Sequence, residues 1–212
     1  MSTKKLKINE IFFSLQGEGS DIGLPTIFIR LTGCNLRCNY CDTRYAFYEG
    51  RYMAIDEIME EISKWKCKRV CITGGEPLLQ RSVYNLIDEL IKSGYETSVE
   101  TNGSISILKL SKMRVKIKMD IKLPSSGMQN KMKFENIKLL RPHDELKFII
   151  WNREDYDYAR DIVARYKPRC QIIMQPVWGS KIKLADWMLK DMIDARFSIQ
   201  LHKILWGGKR GR

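Results

Sequence analysis

The chain has 212 residues, of which 44% are hydrophobic, and its 37 Lys and Arg residues against 25 Asp and Glu residues give a formal net charge of +12. This length and apolar fraction are sufficient for one substantial core, so a single domain over residues 1–212 is expected. No apolar stretch is long enough to span a bilayer. No apolar segment typical of a signal peptide follows the first five residues, so a cytoplasmic protein without a membrane partner is expected.

The excess of positive charge is compatible with several partners. It could attract nucleic acid, an anionic small molecule or an acidic protein, or it could be an ordinary solvated surface. The basic residues are not interleaved with aromatic residues, as a protein that binds single-stranded nucleic acid would require. We therefore expect no direct contact with nucleic acid.

Strand and helix patterns alternate along the chain. Strands are predicted at 26–32, 69–72, 97–100, 115–119, 145–150 and 171–174, and helices at 55–65, 83–91, 153–165 and 184–195. Gly94 suits the left-handed position that ends the second of these helices. The alternation predicts an α/β fold with a parallel sheet of about six or seven strands. A closed barrel has eight, so an incomplete β/α barrel is expected, with ligands at the carboxyl ends of its strands.

Three cysteines, Cys34, Cys38 and Cys41, lie within eight residues. Thiolates at this spacing can face one metal centre, and they suit an iron–sulfur cluster or zinc. A closed zinc site needs a fourth ligand, and the segment has no further Cys or His. The spacing therefore favours a cluster that leaves one iron open, with zinc as the alternative. Cys67, Cys71 and Cys170 are expected to be buried core thiols, although Cys67 and Cys71 could form half of a second metal site.

The segment Thr73-Gly74-Gly75-Glu76-Pro77 follows a predicted strand and precedes a predicted helix. Its glycines allow the backbone to approach a ligand closely, and Glu76 could accept a hydrogen bond from an ammonium group. This segment lies about one βα unit after the cysteine loop. At this position it resembles the glycine-rich motif of the radical S-adenosylmethionine (SAM) superfamily. Tyr40 matches the aromatic residue that precedes the last cysteine of the superfamily's cysteine motif. The resemblance implies a [4Fe–4S] cluster on the three cysteines, with the methionine end of SAM on the fourth iron.

Further motifs span nearly the whole chain. They are Phe13–Gly19 (FSLQGEG), Phe28–Cys34 (FIRLTGC), Cys41-Asp42-Thr43, Val99–Gly103 (VETNG), Gln175-Pro176 and Leu201-His202-Lys203. In this order they are similar to the 7-carboxy-7-deazaguanine synthase family. The resemblance implies an incomplete β/α barrel, a homodimer, an electron donor such as a flavodoxin or ferredoxin, and a radical ring contraction of 6-carboxy-5,6,7,8-tetrahydropterin. The product would be a precursor of queuosine or archaeosine in tRNA.

The resemblance also implies roles for individual residues. The expected pterin-binding residues are Leu15, Gln16, Gly17, Glu18, Arg30, Thr73 and His202. The expected SAM-binding residues are Tyr40, Asp42, Gly75, Glu76, Glu100, Asp120, Lys122 and Gln175. Thr43 would bind Mg²⁺. The family usually has Ser-Pro-Lys where this chain has Asp120-Ile121-Lys122, so Lys122 is retained but the role of Asp120 is open.

Other roles remain open for some of these residues. Arg30 could pair with an acidic residue in the sheet, Thr43 could cap a helix or turn, and His202 could be an ordinary polar residue near the chain end. Ile199, Leu201, Ile204, Leu205 and Trp206 are expected to anchor this last segment. Two other functions are also considered. Another small radical SAM enzyme, such as a glycyl-radical activase, would not need Gln16 and Glu18, and a basic zinc module that binds nucleic acid would not need the Gly-Gly-Glu-Pro turn.

Overall fold

The computed structural model describes residues 5–212. Met1 to Lys4, the start of the segment considered above for a signal peptide, lie outside the described residues. None of the helices described is both long and apolar enough to cross a membrane.

Nine strands form one mixed sheet. In chain order they are β1 (Lys5–Leu15), β2 (Pro25–Leu31), β3 (Arg51–Ala54), β4 (Arg69–Gly74), β5 (Glu96–Thr101), β6 (Lys116–Ile121), β7 (Glu145–Ile150), β8 (Gln171–Pro176) and β9 (Arg196–Phe197). The spatial order is β3-β1-β2-β4-β5-β6-β7-β8-β9. From β2 to β9 every neighbouring pair is parallel, which gives seven parallel strands.

The sheet is an open barrel. In residues 5–212, β3 and β9 are its two edges and do not pair with each other. The predicted α/β fold with an incomplete parallel barrel is therefore confirmed. The sequence did not predict the antiparallel β1, which pairs with both β2 and β3. A bulge between Ile8 and Glu10 interrupts β1, so its alternation of apolar residues changes phase halfway along the strand.

Residues 5–212 contain five α-helices. They are α1 (Ile55–Ser63), α2 (Val83–Lys92), α3 (Arg153–Tyr166), α4 (Leu184–Lys190) and α5 (Leu201–Trp206). Gly94 has φ +77° after α2, as predicted. The prediction for α4 was wrong at its end, because the helix stops at Lys190 rather than Ala195. Met192 has φ +48° and the N–H of Ile193 donates to the carbonyl of Met188, which closes the last turn.

The core lies between the outer face of the sheet and these helices. Ile58, Ile62, Leu86, Ile87 and Leu90 are fully buried on α1 and α2. Their helical spacing gives each helix one apolar face, and burial of each such side chain contributes about 1.5–3 kcal/mol. The inner face of the sheet differs, because charged residues alternate with apolar ones along β6 (KIKMDI). The outer face is thus left for packing and the inner face for a polar site.

Candidate active site

A cavity of roughly 550 Å³ opens at the carboxyl ends of the parallel strands, a volume typical of small-molecule sites. Every residue predicted for the site lines it except Glu76 and Gln175. The lining residues are Cys34, Cys38 and Cys41; Thr43; Tyr40, Asp42, Gly75, Glu100, Asp120 and Lys122; and Leu15, Gln16, Gly17, Glu18, Arg30, Thr73 and His202. The structure therefore brings together residues that lie far apart in the sequence, from Leu15 to His202.

Asparagine side chains fasten the cysteine loop to the sheet. Asn35 Nδ2 donates to Ser104 Oγ at 2.8 Å, and its Oδ1 accepts from Asn102 Nδ2 at 3.2 Å. Asn39 Nδ2 donates to the carbonyl of Ser125 at 3.0 Å. These bonds tie the loop to the segments that follow β5 and β6. Neither Asn35 nor Asn39 was among the residues predicted for the site.

The donor set of this loop fits an iron–sulfur cluster. Cys34, Cys38 and Cys41 are all free and half-buried at the cavity wall. In residues 5–212 no three His, Cys, Asp or Glu side chains are already gathered as metal ligands, so binding requires the thiols to turn towards one centre. Burial raises the pKa of Cys38 to about 11, so this thiol must lose a proton when it becomes a ligand.

The two glycines of the turn after β4 allow it to pack against the cysteine loop. Gly74 has φ +142°, and a β-carbon there would come within 2.7 Å of the Leu31 nitrogen. A β-carbon on Gly75 would come within 2.6 Å of the carbonyl carbon of Gly33 and 2.7 Å of Cys34 Cβ. Any side chain at either position would push the turn away from the cysteines, so the glycines set the spacing between the two predicted cofactor-binding segments.

Glu76 is fully buried beneath the cavity rather than in its wall. Its carboxylate accepts from the N–H groups of Leu78 at 3.0 Å and Asn102 at 2.7 Å, and from the Thr101 hydroxyl at 2.9 Å. Burial raises the pKa of Glu76, and these hydrogen bonds act in the opposite direction. The observed contacts fasten the glycine turn to the end of β5.

Glu18 is the centre of a half-buried charge network in the cavity wall. Lys147 Nζ donates to Glu18 Oε2 at 2.5 Å, and Gln200 Nε2 donates to Glu18 Oε1 at 2.8 Å. Burial opposes ionisation of Glu18, but the ammonium group of Lys147 and the amide of Gln200 outweigh it and lower the pKa of Glu18 to about 2. Glu18 is therefore an anion at physiological pH, as a residue that accepts two N–H donors should be.

Glu100 orients two of the predicted pterin-binding residues. Thr73 Oγ1 donates to Glu100 Oε2 at 2.7 Å, and Gln16 Nε2 lies 3.4 Å from Glu100 Oε1. Burial alone would raise the pKa of Glu100. The ammonium groups of Lys147 and Lys118 outweigh this effect, so the pKa of Glu100 is lowered. Glu100 thus fixes the Thr73 hydroxyl and the Gln16 amide within one hydrogen-bonded group.

Arg30 pairs with an acidic residue in the sheet, which is one of the two roles considered for it. Its Nε donates to Glu10 Oε1 at 2.7 Å, so it forms an ion pair within the sheet, and its guanidinium also lines the cavity. The hydroxyl of Tyr45 donates to the same oxygen of Glu10 at 3.1 Å. Because this pair uses only the Nε side of the guanidinium, the terminal nitrogens can still face a ligand carboxylate.

Two predicted SAM-binding residues have buried polar atoms without partners in the part of the chain that the structure describes. Asp120 Oδ2 pairs with Lys122 Nζ at 2.9 Å, whereas Asp120 Oδ1 is buried without a hydrogen bond in the described residues. Both amide atoms of Gln175 are also buried without a hydrogen bond to any residue in 5–212. Gln175 is fully buried and lies behind the cavity wall. An unpaired buried polar atom is costly, and a polar cofactor in the cavity fits Asp120 because it can supply the missing partner of Oδ1.

The end of the cysteine loop faces the chain terminus. Tyr40 stacks on Trp151 with ring centroids 6.2 Å apart. Asp42 Oδ2 pairs with Lys203 Nζ at 2.5 Å, and Thr43 Oγ1 donates to Asp42 Oδ1 at 2.9 Å. The Thr43 side chain makes no capping bond to the turn it precedes, so the capping alternative lacks its expected contact.

Polar contacts, rather than apolar ones, hold the terminal segment. Leu201 N–H donates to the Gly17 carbonyl at 3.0 Å, and His202 lies against Gly17. Ile199, Ile204 and Leu205 are 37%, 56% and 49% exposed, so the expectation that the apolar residues anchor this segment was wrong for these three. The anchors lie on the other side of α5, where Gln200 and Lys203 meet acidic residues.

Several polar residues of the cavity wall were not predicted for the site, among them Lys118, Lys147, Gln200 and Lys203. A signal for the first two was available. The alternation on β6 and the isolated lysine within the apolar β7 (ELKFII) both indicate inward-facing charges. For Gln200 and Lys203 no comparable pattern exists, because their partners are distant in sequence.

Comparison with known proteins identifies the family of this chain. The model of the radical SAM superfamily matches residues 28–137. A 7-carboxy-7-deazaguanine synthase of Koribacter versatilis is 39% identical over 220 residues, which cover 95% of this chain and 97% of that protein. The synthase of the same name from Thermoplasma acidophilum is 39% identical over 206 residues, with 96% and 99% covered.

The fold has a counterpart among solved structures. The crystal structure of QueE from Escherichia coli has a TM-score of 0.78 to this chain at 24% identity and covers 93% of this chain and 95% of its own. At this identity the likeness concerns the fold. Together with the full-length similarity to the two synthases, it shows that the chain belongs to the 7-carboxy-7-deazaguanine synthase family of the radical SAM superfamily.

Proposed function

We propose that this enzyme converts 6-carboxy-5,6,7,8-tetrahydropterin to 7-carboxy-7-deazaguanine with release of ammonia, in the biosynthesis of deazapurine nucleosides of tRNA. One observation supports this most strongly. A single cavity contains the three cysteines, the glycine turn and the group formed by Gln16, Glu18 and Arg30. A general radical SAM site would account for the first two features, whereas the third is what recognition of a pterin carboxylate requires.

The chain's own residues bind and orient the pterin. The Glu18 anion accepts the N–H donors of the guanidine-like edge, and the Gln16 amide, held near Glu100, supplies a further polar contact. The terminal nitrogens of Arg30 meet the pterin carboxylate. Burial lowers the pKa of His202, so its imidazole is neutral and can donate or accept one hydrogen bond.

The cofactor-binding residues are proposed in the same way. Cys34, Cys38 and Cys41 hold the [4Fe–4S] cluster, and Tyr40, Asp42, Gly75, Glu100, Asp120, Lys122 and Gln175 contact SAM. When bound, the cluster and SAM supply the radical that removes a hydrogen atom from the pterin. The walls exclude water from this step. Thr43 provides a hydroxyl ligand for Mg²⁺.

We further propose a cytoplasmic homodimer that receives electrons from a flavodoxin or ferredoxin. Phe197, Ile199, Ile204 and Leu205 leave apolar surface exposed on the terminal segment, beside the edge strand β9. A second copy of the chain could cover this surface. Sedimentation of the parent and a Leu205→Glu variant tests this part, with a dimer and a monomer as the expected results.

Separate binding measurements test the assignment of the substrate residues. Glu18→Ala should weaken pterin binding about tenfold or more, because it removes an acceptor of charge-assisted hydrogen bonds. SAM binding should remain close to that of the parent. Glu135→Gln, at an exposed position, is the control. If Glu18→Ala binds the pterin as well as the parent does, the proposed pterin site is wrong at this residue.

A further inference from the structure

Lys147 occupies a position in the cavity that no sequence motif assigned. It lies on β7 opposite Asp120 of β6, and its side chain is only 15% exposed. Its Nζ atom contacts Glu18 Oε2 at 2.5 Å at the cavity wall. When Glu18 binds one atom of a ligand, Lys147 therefore lies close to the neighbouring atom of that ligand.

The ammonium group has unused hydrogen-bonding capacity. It carries three N–H donors. Among residues 5–212 its one hydrogen-bond acceptor is Glu18. The remaining donors are free for a ligand or for water at the cavity wall. The Glu18 oxygens likewise each retain a lone pair beyond the bonds from Lys147 and Gln200.

Together these atoms form a row of hydrogen-bonding groups in the order acceptor, acceptor, donor. Glu18 Oε1 and Oε2 are acceptors, and the Lys147 ammonium beside Oε2 is a donor. The pyrimidine edge of a pterin presents the opposite order, with the 2-amino N–H and N3–H as donors and the 4-oxo oxygen as the acceptor. The two edges are complementary when the carboxylate meets the 2-amino group and N3.

We propose that Lys147 is a specificity-determining residue that donates a hydrogen bond to the 4-oxo oxygen of the pterin while it holds Glu18 against N3 and the 2-amino group. This inference rests on the proposed function. It adds a chemical requirement that Glu18 alone cannot impose, namely an acceptor at position 4 of the ring. A site with a buried donor there rejects a ligand that leaves the donor unpaired.

Two stable ligands separate this role from simple support of Glu18. One is 6-carboxypterin, and the other is its 4-thioxo analogue, which keeps the 2-amino group and N3–H but carries a weak sulfur acceptor at position 4. The ratio of their dissociation constants is measured for the parent, Lys147→Met and Lys147→Arg. Any steric effect of the larger sulfur is common to all three proteins and cancels when their ratios are compared. Lys203→Met is the matched control, because it removes a lysine that pairs with Asp42 in the same cavity.

We expect the parent and Lys147→Arg to bind the 4-oxo ligand about tenfold more tightly than the 4-thioxo ligand. Lys147→Met should lose most of this preference, and Lys203→Met should keep it. If Lys147→Met does not fold, Lys147→Leu replaces it, because its side chain also lacks a hydrogen-bond donor and should also lose the preference.

Equal weakening of both ligands by Lys147→Met would overturn the inference, since Lys147 would then only support Glu18. The inference would also fail if Lys147→Met kept the parent's ratio of the two dissociation constants. It would fail as well if the parent bound the 4-oxo and 4-thioxo ligands equally tightly. If the parent binds neither pterin but still binds SAM, the proposed function fails, and the role of Lys147 fails with it.

Discussion

His202 lies directly on the backbone of Gly17. A β-carbon at position 17 would come within 2.9 Å of the imidazole Cγ and would overlap its Nδ1. Two predicted pterin-binding residues, at opposite ends of the chain, therefore touch, and the smaller one must remain a glycine for the larger one to keep its place.

The first prediction concerns this contact. Gly17→Ala should destabilise the fold by about 1–3 kcal/mol, the usual cost of overpacking. Most of that cost should disappear in a His202→Ala background, because the overlapping ring is gone. Urea unfolding of the four proteins measures both quantities. Gly208→Ala is the control, since a β-carbon there meets nothing within 4 Å. Equal costs in both backgrounds would contradict the contact.

The second prediction concerns the cluster. Cys38→Ala should sharply lower the iron and sulfide bound after anaerobic reconstitution, because one of three thiolate ligands is lost. Cys170→Ala should retain the iron content of the parent, since this thiol is buried away from the cavity. A full complement of iron in Cys38→Ala would disprove the ligand assignment, and bound zinc without sulfide would favour the zinc alternative.

The third prediction concerns Glu76. Glu76→Gln places an amide where both oxygens now accept hydrogen bonds, so one N–H donor must face another. We expect the free energy of unfolding to fall by about 1–3 kcal/mol. The exposed substitution Glu135→Gln should leave it within ~0.5 kcal/mol of the parent. The same stability for the two variants would show that the buried carboxylate does not hold the turn.

The amino-acid sequence predicts the local features of the fold and the site but not the contacts between distant residues. The alternation of strands and helices predicts the parallel sheet, and the compact spacing of Cys34, Cys38 and Cys41 predicts their shared site, because both signals are local. The contacts of Glu18 are not local. Lys147 is 129 residues away and Gln200 is 182 residues away, so only the folded sheet and the docked α5 segment bring them together.

Glu10 shows the same limit within the sheet. The sequence leaves open whether Arg30 binds a ligand or pairs with an acid, since β1 was not predicted as a strand. The antiparallel register places Glu10 opposite Arg30, and the ion pair follows from that register. Because β1 is irregular and was not predicted, the sequence did not identify Glu10 as the partner of Arg30.

The fourth prediction concerns the pH dependence of stability. The pKa of Glu18 falls from an ordinary 4.5 to about 2 on folding, so its ionisation stabilises the native state above the unfolded value. Glu18→Gln should be less stable than the parent at neutral pH, by about 1–3 kcal/mol. The difference should shrink as the pH falls from 4.5 towards 2. Urea unfolding of both apoproteins across this range measures it, and a difference independent of pH would contradict the Glu18–Lys147 pair.

Turnover tests most directly whether this enzyme carries out the pterin ring contraction. The anaerobic, reconstituted and reduced enzyme is incubated with SAM, Mg²⁺ and 6-carboxy-5,6,7,8-tetrahydropterin, and the products are identified by mass spectrometry. We predict formation of 7-carboxy-7-deazaguanine and an equal amount of ammonia, with no product from Cys38→Ala. A protein that holds a full cluster and cleaves SAM but leaves the pterin unchanged would contradict the claim.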